Sequence, residues 1–239
     1  SRRRHTRYGN CDWSSDVCSS DLFGSGPVAV NWDVSYEVVP NQSYTASEDE
    51  AFGYTASAWG GNCAADGTVT PLPGETVTCT ITNDDIAPEL TVIKTVITDN
   101  GGTAVASDWT MDVTATNPSS ASFPGAEDPG TTITIDQGDY SVDESGGISG
   151  YEKTLGDGCS GSLLVGETAT CVITNDDIAP ELTVIKTVIT DDGGTAVASD
   201  WTMDVTATNP SSASFPGAED PGTTITIDQG DYSVDESGG

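Results

Sequence analysis

The sequence predicts an all-β chain built from tandem β-sandwich repeats. Three observations carry that prediction: a long segment recurs almost unchanged, the stretches within it are short and rich in Thr, Val and Ile between turn formers, and none sustains a helical period. Residues 79–147, which open CTITNDDIAPELTVIKTVITDN, return at 171–239 with only Thr80/Val172 and Asn100/Asp192 differing. A diverged copy of the end of this unit precedes it, aligning Tyr44 with Tyr140, Glu48 with Glu144, Cys63 with Cys159, Cys79 with Cys171 and Asn83 with Asn175. The expected organisation is the C-terminal part of one repeat at 23–86, a complete repeat at 87–179 and the N-terminal part of a further repeat at 180–239.

In the complete repeat the first strand is expected at 90–97, LTVIKTVI, which the TDNGG turn at 98–102 ends because Asn and Gly accept the positive φ of a tight connection. The next strands fall at 108–115 (DWTMDVTA), 131–135 (TTITI) and 139–144 (DYSVDE). The last three are 151–155 (YEKTL), 162–165 (SLLV) and 169–175 (ATCVITN). Seven short strands in roughly ninety residues form a two-sheet sandwich. A unit of that size buries modest surface, so covalent staples are useful to it.

Residues 1–22 read differently. Every arginine (Arg2, Arg3, Arg4, Arg7) and the one histidine, His5, sit there. Back-translated, Ser1–Arg7 and Asp12–Leu22 match the two ends of a common short-read sequencing adapter in order, so 1–22 are read as adapter sequence without structure and left out of the fold. The rest holds three lysines, Lys94, Lys153 and Lys186, in a chain of net charge −31. Such an acidic surface repels phosphate backbones and anionic membranes, excluding nucleic-acid binding and membrane insertion.

Four cysteines remain, Cys63, Cys79, Cys159 and Cys171, as two local pairs. With no histidine nearby and no C-x-x-C spacing, disulfides formed outside the cytosol suit them better than zinc.

Strand alternation puts residues i and i+2 on one face. Lys94 then shares its phase with Leu90, Val92 and Val96, Glu144 with Tyr140 and Val142, and Asn175 with Cys171 and Ile173. Each of three strands thus carries one polar group into the apolar layer, where a charge is costly and the neutral amine and neutral acid are favoured. A neutral amine can attack a carboxamide. The expected chemistry is attack by Lys94 on the Asn175 side-chain carbonyl, with Glu144 polarising it and shuttling protons, to leave an isopeptide bond and release ammonia. The alternative is a lysine whose stem packs while its head reaches water at a strand end, an asparagine that caps the turn before DDIAP and a solvated Glu144.

ELTVIKTV with its lysine, YSVDE as the acid segment and the closing TCVITND resemble the prealbumin-like (SpaA-like, collagen-adhesin B-type) repeats of bacterial surface proteins and pilins. The resemblance spans residues 23–239 and implies an immunoglobulin-like, transthyretin/prealbumin-like sandwich in extracellular adhesive stalks, many with an intramolecular Lys–Asn or Lys–Asp isopeptide bond. It implies roles for Lys94, Glu144 and Asn175 in the complete repeat, for Glu48 and Asn83 in the first copy and for Lys186 and Glu236 in the last. The cysteine pair is a departure, since family members with isopeptides are not generally cystine-stapled. The implied function is a non-enzymatic, cell-surface stalk or spacer whose partners are neighbouring repeats, with a host or surface ligand held by regions outside this segment.

An adhesive module binding calcium or glycan at the repeat junctions is the competing reading. The junction NDDIAPEL occurs twice, and Asp176, Asp177 and Glu181 are candidate calcium ligands, although no D-x-D-x-D-G loop is present. As a solvated, Pro-terminated linker the same segment needs no cofactor. Catalysis on an external substrate has no histidine, glycine-rich phosphate loop or nucleophile motif behind it.

Overall fold

The computed structural model describes residues 18–20, 28–31 and 34–239. Of the segment read as adapter, only Cys18–Ser20 lies within the described residues. It forms a strand antiparallel to Val28–Val30, where no structure was expected, through backbone pairing that makes little demand on sequence.

The described residues divide into two compact units, one of those up to residue 89 with 134–139 and 162–168, and one of residues 90–133, 140–161 and 169–239. In the first, short antiparallel pairs join Tyr44–Thr45 to Thr68–Val69, Tyr54–Ala56 to Asn83–Asp85, and Gly60–Gly61 to Cys79–Thr80. Beside the last pair, a disulfide ties Cys63 to Cys79.

The complete repeat is a sandwich of two four-stranded sheets. One runs Ala121–Pro124, Trp109–Thr114, Gly138–Gly146, Ser160–Leu163; the other runs Thr131–Thr134, Glu89–Ile97, Thr168–Asp177, Tyr151–Leu155. The first and last strands of the repeat, Glu89–Ile97 and Thr168–Asp177, are therefore neighbours in one sheet. Leu90, Val92, Met111, Val113, Val142, Cys171 and Ile173 are buried between the sheets.

All seven expected strands are present, with ends displaced by a few residues at most. An eighth, Ala121–Pro124, lies in the NPSSASFPG run, where no strand is expected. It forms an edge strand in register with Trp109–Thr114, Met111 opposite Phe123, and an edge position tolerates the terminal proline. A side-chain bridge holds it: Asp112 accepts hydrogen bonds from Ser122 Oγ (2.6 Å) and Ser145 Oγ (2.5 Å), linking three strands across the outer face. Those two hydroxyl donors hold the Asp112 carboxyl below its usual range. The described helical turns are three short 3-10 segments, Ala106–Asp108, Asp157–Cys159 and Ala198–Asp200, and none is long and apolar enough to cross a membrane.

The final segment repeats this pattern with fewer strands. Glu181–Val184 pairs with Thr223–Thr226, and Trp201–Thr206 pairs with Ala213–Pro216 and Ser233–Gly238.

Candidate functional site

Side-chain alternation along three strands brings the predicted polar residues into the core. On Glu89–Ile97 the buried positions are Leu90, Val92 and Lys94; on Thr168–Asp177 they are Cys171, Ile173, Asn175 and Asp177. Lys94 is 0% exposed and Asn175 3% exposed, on neighbouring strands of one sheet. Glu144 arrives from the opposite sheet, its Oε2 3.1 Å from Lys94 Nζ, with the two side chains 0% and 5% exposed.

The electrostatics are poorly compensated. Lys94 Nζ donates one long hydrogen bond, to the Thr95 carbonyl at 3.5 Å. Its approach to Glu144 is an ion pair by distance. Glu144 Oε2 meets no other partner, and Asn175 Oδ1 is buried with none. Burial pushes the Lys94 ammonium below its ordinary pKa, and the neighbouring Glu144 only partly opposes that shift. The depressed amine thus lies beside a carboxyl, with an unsatisfied carboxamide buried on the adjacent strand.

Aromatic rings shape the rest of the pocket. Lys94 Nζ lies 4.6 Å from the centroid of Trp109, which is buried and stands edge-on to Tyr151 at 5.4 Å. Gly125 supplies the clearance: a Cβ there would meet the Ala106 carbonyl oxygen at 2.4 Å and Lys94 Cγ at 3.0 Å. Sequence reasoning missed both residues. Trp109 is nonetheless legible as an inward position, sharing the phase of Met111 and Val113 in WTMDV.

The incomplete copies hold parts of the same arrangement. In the first, Asn83 Nδ2 donates to Glu48 Oε2 at 3.2 Å. In the last, Lys186 Nζ lies 2.7 Å from Glu236 Oε2 and 4.4 Å from the Trp201 ring, and the Glu236 side chain is 48% exposed because no closing strand covers it. Lys153 is exposed and pairs with Asp143 at 2.7 Å.

Cys159 and Cys171 form a disulfide with a Cα–Cα distance of 4.4 Å. Cys171 lies on the buried face of the strand that carries Asn175, so the staple and the site share one strand. At the following junction the carboxylates of Asp176 and Asp177 gather with Asp99 within 4.8 Å of one another; Glu181, the third ligand expected from sequence, is not in the group. Asp177 accepts hydrogen bonds from the backbone N–H groups of Asn100 (3.1 Å) and Gly102 (2.6 Å), which hold its carboxyl low against the cost of burial.

Similarity to known proteins agrees with this architecture. A family model described as a prealbumin-like fold domain matches three times, over residues 7–81, 85–179 and 176–239. No curated protein sequence matches the chain. Among solved structures, the Bacillus anthracis TIE protein is 13% identical with a TM-score of 0.48, over 99% of this chain and 43% of that one. Two B repeat units of the collagen binding protein of Staphylococcus aureus are 15% identical with a TM-score of 0.34, over 98% and 64%. The major pilin protein T3.2 of Streptococcus pyogenes is 19% identical with a TM-score of 0.29, over 56% and 66%. The matched regions thus span between 43% and 66% of those chains. With the family model covering nearly the whole sequence in three successive copies, the chain belongs to the prealbumin-like fold domain family.

Proposed function

We propose that these repeats form an extracellular structural stalk of a bacterial surface protein, and that the complete repeat welds its first strand to its last. In the reaction the Lys94 ammonium gives a proton to Glu144, and the neutral Nζ attacks Asn175 Cγ. Glu144 hydrogen-bonds the developing oxyanion and passes protons to the departing Nδ2. The Cγ–Nδ2 bond breaks, ammonia leaves and an Nζ–Cγ amide remains. No external substrate or cofactor takes part. The weld runs between adjacent strands at the two ends of the repeat, so a pull along the chain is borne by a covalent bond rather than by unzipping of a sheet.

The observation that carries this reading is the buried Lys94–Glu144 contact at 3.1 Å with the neighbouring Asn175 Oδ1 unsatisfied. Intact-mass measurement after disulfide reduction tests it: the chain is lighter than its composition by one ammonia, and proteolysis yields a peptide joining Lys94 to Asn175. A full compositional mass with both residues recovered free overturns it.

A second reading, a cation at the repeat junction, draws on the Asp99, Asp176 and Asp177 carboxylates. Calcium chloride would then raise the melting temperature, and Asp176→Asn would remove the rise.

A further inference from the structure

Asn100–Gly101 is the single Asn–Gly step in the sequence, and it lies in the turn after the lysine strand. Closure of an asparagine side chain onto the next backbone nitrogen is fastest where that residue is glycine, because no side chain obstructs the approach. Here the nitrogen is available. The N–H groups of Asn100 and Gly102 both donate to Asp177, whereas among the described residues the Gly101 N–H has no acceptor. Gly101 is exposed at φ +89, a region that favours glycine.

The same residue is a tie point between repeats. The Asn100 carbonyl accepts the backbone N–H of Gln229, in the following repeat, at 2.8 Å. Its side-chain Nδ2 donates to the Asp177 carbonyl at 2.9 Å and to Asp99 Oδ1 at 2.8 Å. The equivalent position in the following repeat is Asp192, in the same turn, with Gly193 at φ +86. The turn itself therefore accepts the product side chain, in a copy where no counterpart of Asp177 faces it.

We propose that Asn100–Gly101 is a self-modifying joint whose deamidation unties this repeat from the next. The Gly101 nitrogen bonds to Asn100 Cγ, the Cγ–Nδ2 bond breaks and ammonia leaves. The resulting five-membered imide takes up one water and opens to aspartate or isoaspartate. Aspartate cannot donate to the Asp177 carbonyl, and it sets a fourth carboxylate against Asp99, Asp176 and Asp177. Isoaspartate adds a methylene to the main chain and so displaces the carbonyl that holds Gln229. The joint loosens irreversibly with age, independently of the proposed Lys94–Asn175 bond.

The test is to age the intact chain in mildly alkaline buffer, digest it and locate isoaspartate by electron-transfer fragmentation. Residue 100 is expected to convert several-fold faster than Asn41 or Asn62, gaining the mass difference between a hydroxyl and an amino group, and the amide of Gln229 is expected to lose hydrogen-exchange protection in the converted fraction. Asn100→Gln, which keeps an amide donor but closes slowly to a six-membered imide, should retain both its mass and that protection. Conversion at 100 no faster than at Asn41 and Asn62, or unchanged Gln229 protection after conversion, overturns the proposal. The isopeptide reading is scored separately, because its ammonia is lost without uptake of water.

Discussion

Lys94 Nζ stands 4.6 Å from the Trp109 ring centroid in the complete repeat, and Lys186 stands 4.4 Å from Trp201 in the copy that lacks a closing strand. The amine and ring therefore meet without the strand that brings the asparagine. The ring face replaces part of the water an ammonium loses and keeps the amine aimed inward before the repeat closes.

Trp109→Ala is accordingly expected to do two things. It removes a buried ring, at a cost of about 3–5 kcal/mol measured by urea denaturation. It also opens a path for water to Lys94, so the loss of one ammonia, followed by mass against time, slows. A variant that forms the bond at the native rate would show the ring to be packing alone.

Glu144→Gln retains the shape of the side chain and removes its ability to take the lysine proton. The expected mass is the full composition, with Lys94 and Asn175 recovered free. Breaking one partner of a buried pair costs about 3–5 kcal/mol, so circular dichroism should still report β-structure at low temperature while the melting transition falls. Bond formation in this variant would remove Glu144 from the proposed reaction.

The fold is largely legible because period-2 alternation survives in Leu90–Lys94, Tyr140–Glu144 and Cys171–Asn175, and that alternation alone puts the three polar residues inward. The strand Ala121–Pro124 was hidden because it is held by edge pairing and by Asp112–Ser122 rather than by an apolar pattern. Trp109 and Gly125 were missed at the site because pairing strings within the motif says nothing about which other strand lies over the amine. Asp99 was missed at the acidic junction for the same reason: it reaches Asp176 and Asp177 through the fold, while Glu181, close in sequence, is not in the group.

The depressed pKa of Lys94 gives a pH dependence that a bond-free variant exposes. In Asn175→Ala the amine stays titratable. Between its lowered folded value and the ordinary 10.5, the unfolded chain holds a proton that the folded chain does not, so stability rises with pH across that window and is flat below it. Lys94→Met added to Asn175→Ala removes the group and should flatten the slope. Equal slopes in the two variants would mean that Lys94 is not the group responsible.

The disulfide and the proposed amide constrain loops of different size, which fixes how their contributions combine. Cys159–Cys171 closes a short loop of sequence separation 12, for which chain entropy gives about 3 kcal/mol. Joining Lys94 to Asn175 closes a much longer loop that contains the first, for which the same relation gives about 4.5 kcal/mol. Because loop entropy grows only with the logarithm of length, removing the inner bridge lengthens the outer loop at almost no further entropic cost. Replacing both cysteines with serine should therefore cost nearly the same in the native background as in Asn175→Ala, the two losses adding to within about 0.5 kcal/mol. A disulfide loss much larger in Asn175→Ala would mean that the two bonds act redundantly in holding the closing strand in the folded state, and the unfolded-chain account would fail.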